Sequence, residues 1–137
     1  MTAELELARQ WLAKAQNDLL NADNNLAAEQ IPYDTVCFHC QQAAEKLLKA
    51  ALIASGQQPP RTHDLMVLLE TIRPGYPEVE HLRNPLAILM PYAIEIRYPD
   101  DWFMPSSDDA REARDMAAQV LDWLRQTFPR LFQPGSA

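Results

Sequence analysis

Two cysteines with a histidine between them, Cys37-Phe38-His39-Cys40, are the first residues in this chain whose types suggest chemistry. A Cys-x-x-Cys pair holds zinc when further ligands join it, usually as a second such pair. That second pair is missing, and only His63 and His81 are left to complete a set. A thioredoxin-like redox motif opens a helix at its junction with a strand, whereas these cysteines fall in the middle of a helical pattern. Cys40 lies on the apolar seam of that helix, where a free cysteine behaves as a small hydrophobe. Packing, without metal or cofactor, is the expected role.

Glu45, Lys46 and Lys49 are the strong charges of a helix that is otherwise apolar or amide-rich. Glu45 and Lys49 form an i,i+4 pair in the favourable order, so a solvated, helix-stabilising ion pair is the plain reading. The functional alternative has Lys46 or Lys49 facing an anionic ligand or partner in a groove. On a helical wheel Phe38, Gln42, Glu45 and Lys49 share one stripe, and His39, Lys46 and Ile53 another. His63 stands between Thr62 and Asp64 at the start of a short helix. It either packs over a helix end or serves as acid, base or phosphate contact near neutral pH.

Arg97, Tyr98, Asp100 and Asp101 crowd the end of a later helix, where a cation complements the dipole and an arginine–carboxylate pair would fix the loop. Trp102, Phe103 and Met104 follow at once. Three large apolar residues in a polar loop need cover, either from the bundle ends or from another chain. No Ser–His–Asp, Cys–His or paired-carboxylate set stands out, so the pattern assigns no catalytic residue.

Composition narrows the classes. The 137 residues suit one domain, and 47% hydrophobic with 23% charged residues is an ordinary globular mix. Lys+Arg 12 against Asp+Glu 19 gives a net charge of -7. That balance disfavours a surface built to grip DNA, since phosphate binding needs a positive field, though a local basic groove is compatible with it. With Gly 3, no GxGxxG or Walker phosphate loop can be written. The longest apolar run, Leu86 to Ile94, contains Pro91 and falls well short of the roughly 20 residues a membrane span requires. Glu4 and Glu6 argue against a secretory leader, and two cysteines imply no disulfide framework, so a cytoplasmic location is expected.

Helix signals dominate the elements that must position these residues. Leu5, Ala8, Leu12, Ala15, Leu19, Ala22 and Leu26 alternate spacings of three and four, the seam of a helix nearly parallel to its neighbour. Thr2 is the expected N-cap, and Ile31-Pro32 ends the run. Tyr33 to Ser55 repeats the pattern with Val36, Cys40, Ala43, Leu47 and Ala50, and Gly56 supplies its left-handed stop. Phe38 and Ile53 lie off that seam, so the second helix is either central in its bundle or covered by a second subunit. A short helix is expected near Asp64 to Ile72. A long fourth helix follows, with Asn84-Pro85 as N-cap and first residue, a kink at Pro91 and a stop at Pro99. The last opens at Ser106, with Asp109 completing a capping box, and buries Ala110, Ala113, Ala117, Val120, Leu121 and Leu124. The sum is an all-α, antiparallel up-and-down four-helix bundle with one extra short helix, a single domain over residues 1–132 with a frayed tail at 133–137.

Specific blocks in these helices resemble the HEPN family, whose initials stand for "higher eukaryotes and prokaryotes nucleotide-binding". They are Trp11-Leu12-x-Lys14-Ala15 with Asp18-Leu19, then Gln41-Gln42-Ala43-Ala44-Glu45-Lys46-x-x-Lys49-Ala50, Thr62-His63-Asp64-Leu65, and Arg97-Tyr98-Pro99-Asp100. The resemblance runs from about Leu5 to Leu124. It implies a five-helix domain, often a homodimer, encoded beside or fused to a small nucleotidyltransferase in toxin–antitoxin-like pairs. It also implies that Lys46, Lys49, His63, Arg97, Tyr98 and Asp100 lie at a nucleotide or partner site. Phe38, Ile53, Trp102 and Phe103 are the matching candidates for a dimer or partner interface.

A second branch of that family consists of metal-independent ribonucleases, marked by an arginine followed after four to six residues by a histidine on one helix. Here Arg61 and His63 are separated by one residue, and Arg73 and His81 by seven with Pro74, Gly75 and Pro77 between them. A non-catalytic module is therefore the leading expectation. An RNA-cleaving toxin is the alternative.

Overall fold

The computed structural model describes residues 2–94 and 104–134. Five α-helices fill it, and among the described residues there is no strand. Helix α1 (Ala3–Leu26) starts where expected: the Thr2 hydroxyl accepts the Leu5 N–H at 3.1 Å. Helix α2 (Tyr33–Ala54) closes in a Schellman motif. The N–H of Gly56 reaches the Ile53 carbonyl at 3.0 Å and that of Gln57 reaches Leu52 at 2.9 Å, with Gly56 at φ 87°. Only a residue without a Cβ takes that backbone conformation cheaply, so the glycine fixes the exit direction of the chain.

Helix α2 is the central element, packed along α1 on one side and α5 on the other. Its broad apolar stripe is consumed within one chain: Leu47, Leu48, Leu52 and Ile53 are all buried. Ile53, a candidate for surface that a second subunit would cover, is thus 6% exposed within the single chain. Phe38 is only half-buried, edge-on to His39 with ring centroids 5.5 Å apart.

Helix α3 (Leu65–Ile72) is capped by Asp64, whose carboxylate accepts the Met66 N–H at 2.9 Å. The fourth helix departs from expectation at both ends. A 3₁₀ turn, Pro77–Leu82, runs directly into α4 (Arg83–Leu89), so Asn84 and Pro85 sit inside the first turn rather than at its cap. Proline is tolerated there because the first-turn N–H groups have no intrahelical acceptor. Pro91 cannot donate to Ala87, and the α-helix gives way to a tighter turn at Met90–Tyr92. Within the described residues α4 is thus short, not long; the residues expected to prolong it, 95–98, lie outside them.

Helix α5 (Ser107–Thr127) has its full capping box. The Ser106 hydroxyl accepts from the Asp109 N–H at 3.0 Å, and the Asp109 carboxylate accepts from the Ser106 N–H at 2.9 Å. It buries Trp123 along with the expected alanines, while Leu121 is only half-buried. Arg114 ties α5 to α1 through a two-pronged bond to Asp23 at 2.6 and 3.1 Å. A final 3₁₀ turn, Pro129–Phe132, folds back on α1, where the Arg9 guanidinium donates to the Arg130 carbonyl. No helix among the described residues is long and apolar enough to cross a membrane.

Candidate functional site

One edge of the bundle carries charge where a core would be expected. On α1, Trp11, Lys14 and Asp18 recur at spacings of three and four, so they face the same way. Asp18 sits among the buried alanines of that helix and is itself buried. On α2 the same geometry aligns Gln42, Glu45, Lys46 and Lys49, opposite the α1 residues. Glu45 and Lys49 are buried as well.

The solvated-pair reading of Glu45 and Lys49 is thereby overturned, because both sit under α1 and the loop before α3. Lys49 Nζ donates to Glu45 Oε2 at 3.1 Å and lies 5.6 Å from the centre of the Trp11 ring, a cation–π contact. The imidazole of His63 closes over the carboxylate, its Nδ1 3.1 Å from each Glu45 oxygen. The backbone of His63 is held from below, where the fully buried Gln41 donates to its carbonyl at 3.5 Å and in turn accepts from Gln42 at 2.8 Å.

A second set lies alongside. Asp18 receives Lys46 Nζ on one oxygen at 2.5 Å and His39 Nδ1 on the other at 2.8 Å. The two sets share a design: each carboxylate is buried, and each is paired with a cation and an imidazole nearer the surface. The Asp18 and Glu45 side chains are 8% and 5% exposed, against 23% for Lys46 and 82% for His63. Each histidine turns its Nδ1 towards a carboxylate, which leaves its Nε2 available for hydrogen bonding elsewhere.

Lys14, Lys46, Lys49 and His63 line a single cleft of about 620 Å³, together with Trp11, Asn17 and the edge of Glu45. Lys46 and Lys49 are matched there by Asp18 and Glu45, and Lys14 adds a further positive charge against the chain's net charge of -7. A concave site with clustered cations and an aromatic wall is equipped to hold a small anion with a planar group attached.

Of the residues singled out in the sequence, Lys46, Lys49 and His63 come together in this cleft. Arg97, Tyr98 and Asp100 lie outside the described residues, as do Trp102 and Phe103. Trp11, Lys14, Asp18, His39 and Gln41 belong to the arrangement although the pattern gave them no role. For Asp18 a signal existed: a carboxylate three residues after Ala15 and four before Ala22 stands on the apolar stripe, where a charge needs a partner.

The cysteines take a packing role. Both thiols are fully buried, and burial pushes each up to about 12, partly offset at Cys37 by the Tyr92 hydroxyl. A thiol so protonated is a poor nucleophile and a poor metal ligand.

The chain is similar to known proteins over most of its length. The HEPN domain family model matches residues 8–127. The fold is similar to that of TT1696 from Thermus thermophilus, at 32% identity and a TM-score of 0.71, over 88% of this chain and 98% of that one. It is also similar to ST0689, an archaeal HEPN homologue, at 26% identity and a TM-score of 0.62, over 88% and 96% of the two chains. No curated protein matches the sequence significantly. With the charged helix pair and its covering loop inside the matched span, this chain belongs to the HEPN domain family.

Proposed function

We propose that this protein is a non-catalytic HEPN module that binds the phosphate groups of a nucleotide in the cleft between α1 and α2. The observation that carries the reading is the layering of the site. Asp18 and Glu45 are buried, with Lys49 beside Glu45, and the groups nearest solvent are the Lys46 amine and the His63 imidazole, which the two acids hold in place. Lys14 adds an exposed amine on the same wall. Family membership supports two further parts of the reading, a cytoplasmic homodimer and association with a small nucleotidyltransferase in a toxin–antitoxin-like pair.

Calorimetric titration with ATP and GTP tests the binding step; saturable heat lost in Lys14→Ala is expected, and no heat with either nucleotide refutes it. Sedimentation at tens of micromolar tests the dimer, which a monomer would refute. Co-purification from the native host tests the partner, and recovery without any nucleotidyltransferase counts against it.

A second reading draws on Glu45 and His63. A carboxylate holding an imidazole by Nδ1 leaves Nε2 facing outward, where it could take part in the acid–base chemistry that RNA cleavage requires. Metal-free cleavage of RNA, abolished in His63→Ala, would favour it over the non-catalytic module.

A further inference from the structure

A second cleft, of about 510 Å³, lies beyond Trp11 and Lys49, towards the start of α1 and the end of α2. The two helices run antiparallel here: Lys49 lies over Trp11, and Ala54 shares a hollow with Thr2 and Leu5. Glu4, Leu7 and Trp11 follow one another at spacings of three and four, so they form one wall. Ile53 stands on α2 one turn beyond Lys49. After Gly56 the chain doubles back until His63 reaches Glu45, and on the way Pro59, Pro60 and Arg61 form the other wall.

That course gives the cleft two unlike ends and an apolar middle. Glu4 stands at the end near Gly56, and Arg61, two residues before His63, stands at the end near Lys49. Between them lie Leu7, Ile53, Pro59 and Pro60, with Leu7 45% exposed. Among the described residues neither Glu4 nor Arg61 makes an ion pair, whereas the Lys49 amine is taken by Glu45. The last turn of α2 carries no basic residue, so the negative end of its dipole adds to the charge of Glu4. From Glu4 to Trp11 the wall rises about 10 Å at 1.5 Å per residue, the span of about three extended residues.

We infer that this cleft binds short apolar peptides with free ends, about three residues long, with the ammonium group against Glu4 and the carboxylate against Arg61. Opposite charges left unpaired at the two ends match a zwitterion, and the apolar walls take its side chains out of water. The exposed amide of Gln58 offers a donor and an acceptor to a peptide group of the ligand. Two consecutive prolines restrict one wall before any ligand arrives, which reduces the ordering cost of binding. The site is independent of the phosphate reading above, which uses the neighbouring cleft.

The full chain is titrated by calorimetry with leucyl-alanyl-leucine, with the same tripeptide acetylated and amidated, and with triglycine. The free tripeptide is expected to bind saturably, about tenfold more tightly than its capped form, and triglycine to give no saturable heat. Glu4→Gln and Arg61→Gln, both changes at exposed positions, should each weaken the free tripeptide about threefold and leave the capped form unaltered. Leu20→Glu, at an exposed position outside the cleft, should change neither affinity and serves as the control. Equal affinities for free and capped tripeptide, or binding of triglycine as tight as that of the free tripeptide, overturn the inference. So does an absence of saturable heat with all three ligands. Titration with ATP decides the phosphate reading separately, since tripeptide binding without ATP binding would refute that reading and leave this site standing.

Discussion

Asp18 of α1 and Lys46 of α2 are joined by a 2.5 Å hydrogen bond across the interface of the two longest helices, and the second oxygen of Asp18 is taken by His39. The carboxylate is therefore shared between two cationic or titratable groups that stand about two turns apart on the opposing helix. One buried acid sets the register of α1 against α2 and the direction of two cleft-side groups at once.

Replacing Asp18 by Ala should destabilise the fold by about 1–3 kcal/mol in urea unfolding, the cost of stranding partly buried hydrogen-bonding groups. Lys46 and His39 are partly exposed and can rehydrate, which keeps the loss below that of a deep ion pair. A loss under about half a kcal/mol would mean that the bond does not couple the helices.

Glu45 and Lys49 lie deeper, and removing one partner leaves an uncompensated charge. Glu45→Ala is expected to cost about 3–5 kcal/mol, whereas the double change Glu45→Leu with Lys49→Met should come close to the parent stability. Chemical denaturation of the single and double variants tests this; equal losses in both would show that shape, not charge, dominates the site.

His63→Ala should barely alter stability, within about 0.5 kcal/mol, because its side chain is 82% exposed. Phosphate binding in the cleft should weaken in the same variant. A large drop in melting temperature would make His63 a structural residue instead.

Alkaline conditions should weaken the fold. Burial raises the Cys37 and Cys40 thiols from 9.0 to about 12, and the Tyr92 hydroxyl from 10.0 to about 12. The unfolded chain releases these protons first, so their contribution is complete below about pH 9 and declines as the pH rises towards 12. Melting temperatures measured from about pH 7 to 10.5 should fall at the upper end, with a shallower slope in Cys40→Ala. Native thiols should also resist alkylation at about pH 8, and fast modification would show that the burial is not maintained.

The capping box of α5 provides a local control. Ser106→Ala should cost about 1 kcal/mol, since it frees the Asp109 N–H and breaks one half of a reciprocal pair. Thermal unfolding reads this directly, and no change would indicate that the helix start is held by other contacts.

Residue types and spacing by themselves determined the helices, most of their caps and the HEPN resemblance. Those features depend on neighbours within a few residues: the Thr2 cap, the Gly56 stop and the Ser106–Asp109 box are local chemistry. Local spacing failed for α4, because whether the chain enters it through a coil or through the 3₁₀ turn Pro77–Leu82 depends on packing, not on Asn84-Pro85. It failed again for Glu45 and Lys49. The i,i+4 interval states that they can pair, but their solvation is decided by α1 and the His63 loop lying over them. The union of Lys14, Asp18, Lys46 and His63 belongs to tertiary structure alone, since residues far apart in the chain meet only when two helix faces and a loop close on one another. Burial then turns commonplace surface charges into a layered site, because a buried carboxylate must keep its cation and so fixes where that cation points.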